Sequence, residues 1–293
     1  MSVEFTAHNI RLDNGTFTKP ENGSDMTSDQ WFVSTRALLN SLFPGDKSRY
    51  RLVDLGCLEG GYAVEFARLG FQVTGLEVRE SNMAACRYVK ANTSLPNLEF
   101  VQDDAWNLSK YGRFDVVFCC GLFYHLDRPK QFLAMLAEST NRVLILQTHF
   151  AVLSDADTYV PIRPAILGKL LRPIAGGALA VQQERGQTKT TAEKFGLSAV
   201  TENEGLRGRW YTEFASEDQF QQREANKWAS WDNRRSFWIL REDLLQAILQ
   251  TGFDVVLEQY DSLGPELASS MIQGYYKTDT RGTFVGIKSK SFG

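Results

Sequence analysis

Between Tyr50 and Gln147 short apolar runs alternate with longer stretches of helical period, and this rhythm limits the available folds more than any other feature. Val116-Val117-Phe118 and Val143-Leu144-Ile145-Leu146 are apolar without alternating, so both faces of those strands must be covered. Strands covered on both faces and separated by helices imply βαβ units and a parallel sheet. The pattern places strands at Arg51–Gly56, Gln72–Glu77, Leu98–Asp103, Phe114–Cys119 and Arg142–Gln147. Helices fit Gly61–Leu69, Ser81–Asn92 and Pro129–Ser139, where Pro129 suits a first turn that needs no N–H from it.

A helix is also expected at Asp29–Leu42, stopped by Pro44 and Gly45, and the N-terminal stretch around His8 reads as a strand. After Phe150 the rhythm breaks, and the chain to about Ser236 reads as an insertion with helices near Ala165–Leu171 and Glu217–Trp231. It resumes with a helix at Leu240–Gln250 and strands at Phe253–Tyr260 and Gly282–Ile287. Four parts follow: a leading strand and helix (1–49), a core (50–150), an insertion or cap (151–236) and a completion of the core sheet (237–293).

Composition narrows the function classes. The formal net charge of −3, without a long basic run, argues against general nucleic-acid binding. No stretch approaches the roughly 20 apolar residues of a membrane helix. The first residues have neither a basic start nor an apolar core, so no signal peptide is read and a cytoplasmic location is expected. The cysteines Cys57, Cys86, Cys119 and Cys120 form no CxxC pair and read as small buried residues in a reduced protein. No metal-ligand spacing is present, and no metal is expected.

The sharpest local signal is Val53-Asp54-Leu55-Gly56-Cys57-Leu58-Glu59-Gly60-Gly61, where a strand turns into a helix. Glycines there permit a tight turn and let a ligand approach the unpaired N–H groups of the helix start. A dinucleotide fingerprint needs glycine at the middle position, occupied here by Leu58, which disfavours a pyrophosphate but suits an adenosine cofactor without one. Glu77 ends the next strand about twenty residues after Gly56, the separation that sets an acid on ribose hydroxyls; a solvated strand-end acid is the lesser alternative. In Asp103-Asp104-Ala105-Trp106 a carboxylate can accept from an adenine amino group and Trp106 can cover the ring, or Asp104 is a turn residue and Trp106 core.

The succession DLGCLEGG, VTGLEV, QDDAW and FDVVFCCGLFYHLDRP resembles the class I S-adenosylmethionine-dependent methyltransferases in order and spacing. The stretch GLFYHLDRPKQFLAML resembles a bacterial subgroup containing sugar and natural-product methyltransferases and enzymes of tRNA wobble-uridine modification. The resemblance implies a Rossmann-like α/β fold: a seven-stranded, mostly parallel sheet with helices on both faces and a C-terminal β-hairpin. It also implies S-adenosyl-L-methionine as cofactor, held by Asp54, Gly56, Cys57, Gly60, Glu77, Asp104, Ala105 and Gly121. Leu58 departs from the glycine that many members carry there.

Methyl transfer requires an acceptor atom held in line, about 3–3.5 Å from the methyl carbon. A hydroxyl acceptor also benefits from a base, most often histidine. His125 follows the fourth strand and His149 ends the fifth, both at the carboxyl edge where open α/β sheets bind ligands. His149 is the preferred base, His125 the second, and His8 is given no role; Asp155 and Asp157 are outside candidates. Tyr124 either lines the site or packs beneath it. The segment 205–240 concentrates Trp210, Trp228, Trp231 and Trp238 among arginines, which suits stacking on a sugar or base, or a small core of the insertion itself. Trp210, Asn233 and Trp238 are taken as acceptor contacts. The expected function is methylation of a small-molecule or saccharide hydroxyl. The alternatives are a tRNA-modifying methyl or carboxymethyl transferase and a catalytically silent cofactor-binding regulator.

Overall fold

A computed structural model describes residues 3–154, 194–261 and 280–292. Helix α1 (Gln30–Leu42) is capped by Asp29, whose carboxylate accepts from the N–H groups of Trp31 and Phe32. The core then runs β1 (Arg51–Leu55), α2 (Gly61–Arg68), β2 (Gln72–Glu77), α3 (Glu80–Ala91), β3 (Leu98–Gln102), β4 (Phe114–Cys120), α4 (Pro129–Ser139) and β5 (Thr140–His149). The insertion contributes β6 (Thr201–Asn203), β7 (Leu206–Thr212), the short helix α5 (Glu217–Gln221) and β8 (Arg235–Ile239). Helix α6 (Arg241–Gln250), β9 (Val255–Gln259) and β10 (Arg281–Ile287) complete the sheet.

The main sheet has seven strands in the order β3-β2-β1-β4-β5-β10-β9. The first five pair in parallel, and β10 runs antiparallel to both β5 and β9. Strand side chains divide between two cores, as the unbroken apolar runs require. Val53, Leu55, Val117, Leu144 and Leu146 pack toward α4 and α6 through Phe132, Leu136, Leu244 and Ile248. Leu52, Val73, Val116, Phe118 and Ile145 pack toward α1 and α2 through Phe32, Leu39, Val64 and Phe66. Register sets the site: Leu55 pairs with both Leu76 and Cys119, so β1, β2 and β4 end level. Because β10 is antiparallel, its first residue, Arg281, lies at that same edge beside His149.

Three expectations need correction. No strand forms near His8; the leading segment has only an isolated bridge, Arg11 to Phe17. The N–H groups of Thr6, Ala7 and His8 are instead taken by the Glu59 carboxylate. The insertion contains an antiparallel sheet, β6-β7-β8, where only helices were expected, and β8 crosses the boundary expected at 236. The helix expected at Glu217–Trp231 stops at Gln221 and continues as one 3-10 turn, Arg223–Ala225. Beyond it the guanidinium of Arg79 takes the carbonyls of Arg223, Asn226, Ala229 and Ser230, which a continuing helix would have kept for itself. The helix expected at Ala165–Leu171 lies outside the described residues, as do Asp155 and Asp157. Among the described residues no helix is long and apolar enough to cross a membrane, and no group of three or more His, Cys, Asp or Glu could hold a metal ion. All four cysteines are free, with only Cys120 partly exposed.

Candidate functional site

β1 passes into α2 through a loop in which Gly56, Leu58 and Gly60 all take positive φ, 65°, 55° and 84°. A left-handed leucine is strained, and two bonds hold it there. Cys57 N–H donates to the Leu76 carbonyl at 3.0 Å, and Leu58 N–H donates to Glu77 Oε2 at 3.0 Å. Gly60 answers a packing need: a Cβ there would meet Phe100 Cζ at 2.5 Å. Gly61 N–H, at the helix start, donates to Nδ1 of His8 at 3.0 Å.

The loop opens onto a cavity of about 360 Å³, within the range of small-molecule sites. Asp54, Gly56, Cys57, Glu77, Asp104, Ala105, Trp106 and Gly121 line it, whereas Gly60 stands behind the wall. Glu77 is buried, its Oε1 accepting from Arg79 N–H at 2.8 Å, and burial pushes its carboxyl up. Burial, with Glu77 nearby, lifts Asp54 to about 8 against the pull of the Ala63 N–H, and its Oδ2 has no hydrogen-bond partner among the described residues. Asn82, fully buried on the same wall, stands beside Glu77, where its side-chain amide works against the upward push of burial on that carboxyl. Sequence reasoning missed Asn82, which reads as one polar residue on a helix face. Asp104 caps the turn that carries Trp106 by accepting its N–H at 2.9 Å, and Trp106 Nε1 donates to Asp232 at 3.0 Å.

Two segments remote in sequence close the cavity. The buried Glu59 accepts from Thr6, Ala7 and His8, and these donors hold its carboxyl below the usual range despite burial. His8, for which no role was expected, therefore lines the cavity, and burial lowers its imidazole pKa. On the other side residues 227–232 of the insertion line it.

The two histidines are placed differently from expectation. His149 is not among the lining residues: it stacks on Trp238 with centroids 4.7 Å apart and meets Tyr124 edge-on. Burial, followed by the Arg281 charge, lowers it to about 4. His125 does line the cavity, beside Tyr124, and its Nδ1 lies 2.8 Å from Oε1 of Glu213. Glu213, almost fully buried, also accepts from Ser236 Oγ at 2.7 Å and Ser230 N–H at 3.1 Å. With a carboxylate against Nδ1, the hydrogen sits on that nitrogen and Nε2 is left as acceptor.

The expected acceptor contacts in the insertion are placed elsewhere. Trp210 packs edge-on against Phe237, and Trp238 donates from Nε1 to the Tyr124 carbonyl at 3.0 Å. Asn233 binds the Arg235 carbonyl and Ser230 Oγ. All three lie outside the cavity lining, held by packing within the insertion and against the core; Trp228 and Trp231 line it instead.

Residues 52–144 match the family described as a methyltransferase domain. This segment holds nearly all of β1 through the first half of β5, with the lining residues from Asp54 to Leu126. The chain has the class I methyltransferase fold. A Geobacillus sp. (strain WCH70) protein that carries a methyltransferase name is 38% identical over 88 residues, 29% of this chain and 35% of that protein. A ubiquinone biosynthesis O-methyltransferase of Rickettsia canadensis (strain McKiel) is 29% identical over 106 residues, 35% of this chain and 44% of that one. The chain thus spans less than half the length of these relatives. The N-terminal domain of EvdMO1, crystallised in the presence of SAH and D-fucose, superposes on the methyltransferase domain and its insertion with a TM-score of 0.60. It is 18% identical, over 97% of this chain and 92% of that one, which establishes the shared fold.

Proposed function

We propose that this chain transfers the methyl group of S-adenosylmethionine to a hydroxyl of a small-molecule or saccharide acceptor, with His125 as the general base. The observation that carries the reading is one cavity lined by Gly56, Glu77, Asp104 and His125, with His125 paired to Glu213 behind it.

The residues present suit the cofactor. Each Glu77 oxygen accepts one backbone N–H and keeps a lone pair for a ribose hydroxyl. Asp104 and Trp106 suit an adenine, and the orphaned Asp54 Oδ2 suits an amino group. S-adenosylmethionine supplies, when bound, an electrophilic methyl on a sulfonium sulfur. The chain's part is to orient an acceptor oxygen and take its proton. Nε2 of His125 receives that proton, and Glu213 steadies the imidazolium formed. Tyr124, Trp31 and the exposed Trp228 offer aromatic faces that suit a sugar ring. The names of the Rickettsia relatives support an oxygen acceptor.

The test has two parts: S-adenosylhomocysteine binding by calorimetry, then product-cofactor release against sugars, phenols and tRNA. Binding with turnover of a hydroxyl compound is expected. Turnover of tRNA alone overturns the acceptor class, binding without any turnover favours a silent regulator, and no binding overturns the reading.

A further inference from the structure

Arg79 lies two residues after Glu77 and is 7% exposed. Its guanidinium reaches across to the insertion. Nη2 donates to the carbonyls of Ala229 at 2.7 Å, Asn226 at 3.1 Å and Ser230 at 3.4 Å, and Nε donates to that of Arg223 at 3.4 Å. The segment so gripped forms a roof, since Lys227 to Asp232 line the cavity. Its other ties include Ser81 N–H to Glu224, Trp106 Nε1 to Asp232, Ser230 N–H to Glu213, and Lys227 Nζ 3.8 Å from Glu59.

The same contacts form a continuous path. Glu77 Oε1 accepts Arg79 N–H; Arg79 holds Ser230; Ser230 N–H donates to Glu213 Oε2; Glu213 Oε1 meets His125 Nδ1. We propose that Arg79 is a positioning residue that straps the roof over the cavity and couples cavity occupancy to the orientation of His125. The proposal rests on the cofactor reading above. In the closed arrangement, with the Arg79 bonds in place, residues 227–232 lie over a ligand seated on Glu77. A ligand that touches both floor and roof favours the closed arrangement by its contacts with the roof. Arginine suits the task because its planar fork presents five fixed donors, which a lysine does not.

Hydrogen exchange of the full chain, with and without S-adenosylhomocysteine, tests this in wild type and in Arg79→Gln. Without ligand, amides of residues 223–232 should exchange at least about tenfold faster in Arg79→Gln, as expected on losing hydrogen bonds to a charged group, while β1 and β4 stay protected. In wild type the ligand should slow the roof and the Gly56–Gly60 loop together; in the variant it should slow the loop alone. In turnover, kcat should fall with little change in acceptor KM. Equal ligand-free exchange of the roof in both proteins overturns the strap. Ligand protection of the loop without the roof in wild type overturns the coupling, and needs no variant to fold. Failure of wild type to bind S-adenosylhomocysteine overturns the function proposed above, while the ligand-free comparison still decides the strap.

Discussion

His125 and Glu213 are 88 residues apart in sequence and 2.8 Å apart in space. Their pairing, against the burial of His149, is what the proposed choice of base rests on. His125→Ala should lower turnover by about 10²–10⁴ while leaving S-adenosylhomocysteine affinity unchanged. His149→Phe, which preserves the stacking on Trp238, should leave turnover near the wild-type rate; steady-state kinetics on both variants separates the assignments. Asp54 carries a second consequence. Its folded pKa of about 8 exceeds the usual 3.8, so the native state holds a proton that the unfolded chain has lost. That contribution to stability is complete below about 4 and disappears as pH rises through about 8. Asp54→Asn should flatten the fall in thermal stability over this window. A cationic ligand amino group beside Asp54 draws the proton off, so wild-type binding at pH 7 should release it. Calorimetry in buffers of differing ionisation enthalpy measures that release.

At the scale of elements, the βα core was legible because burial on both faces leaves an unbroken apolar run, and because glycines and Glu77 sit at fixed distances from strand ends. Bonds from a side chain to a distant backbone leave no such trace. Nothing periodic announces that Thr6–His8 fold back onto Glu59, or that Arg79 ends a helix 144 residues later. Glu213 stayed hidden because an acid after an aromatic run reads as surface, although Ser230, Ser236 and His125 surround it here. Gly208 marks the insertion's sheet only in retrospect: a Cβ there would lie 2.3 Å from the Trp238 carbonyl, where β7 and β8 pair. The glycine loop makes a sharper forecast. Gly60→Ala combines a positive φ with contact against Phe100, and should destabilise the fold by about 1–3 kcal/mol. Chemical denaturation checks the value, and a neutral result would contradict this loop path.

For the molecule as a whole, a ligand that bridges floor and roof adds to the contacts that already join them. S-adenosylhomocysteine at 100 times its Kd should stabilise the protein by about 2.7 kcal/mol, seen as a rise in melting temperature. NAD, whose pyrophosphate must pass Leu58, should give no shift. Glu59 bears on how the chain can be divided. Its carboxylate belongs to the stretch 52–144 that relatives share, but its donors, Thr6 to His8, and the nearby Lys227 lie beyond either end. Cut free at those limits, the shared stretch would keep an interior anion stripped of every one of these companions. A fragment cut at those limits should therefore melt lower than the full chain.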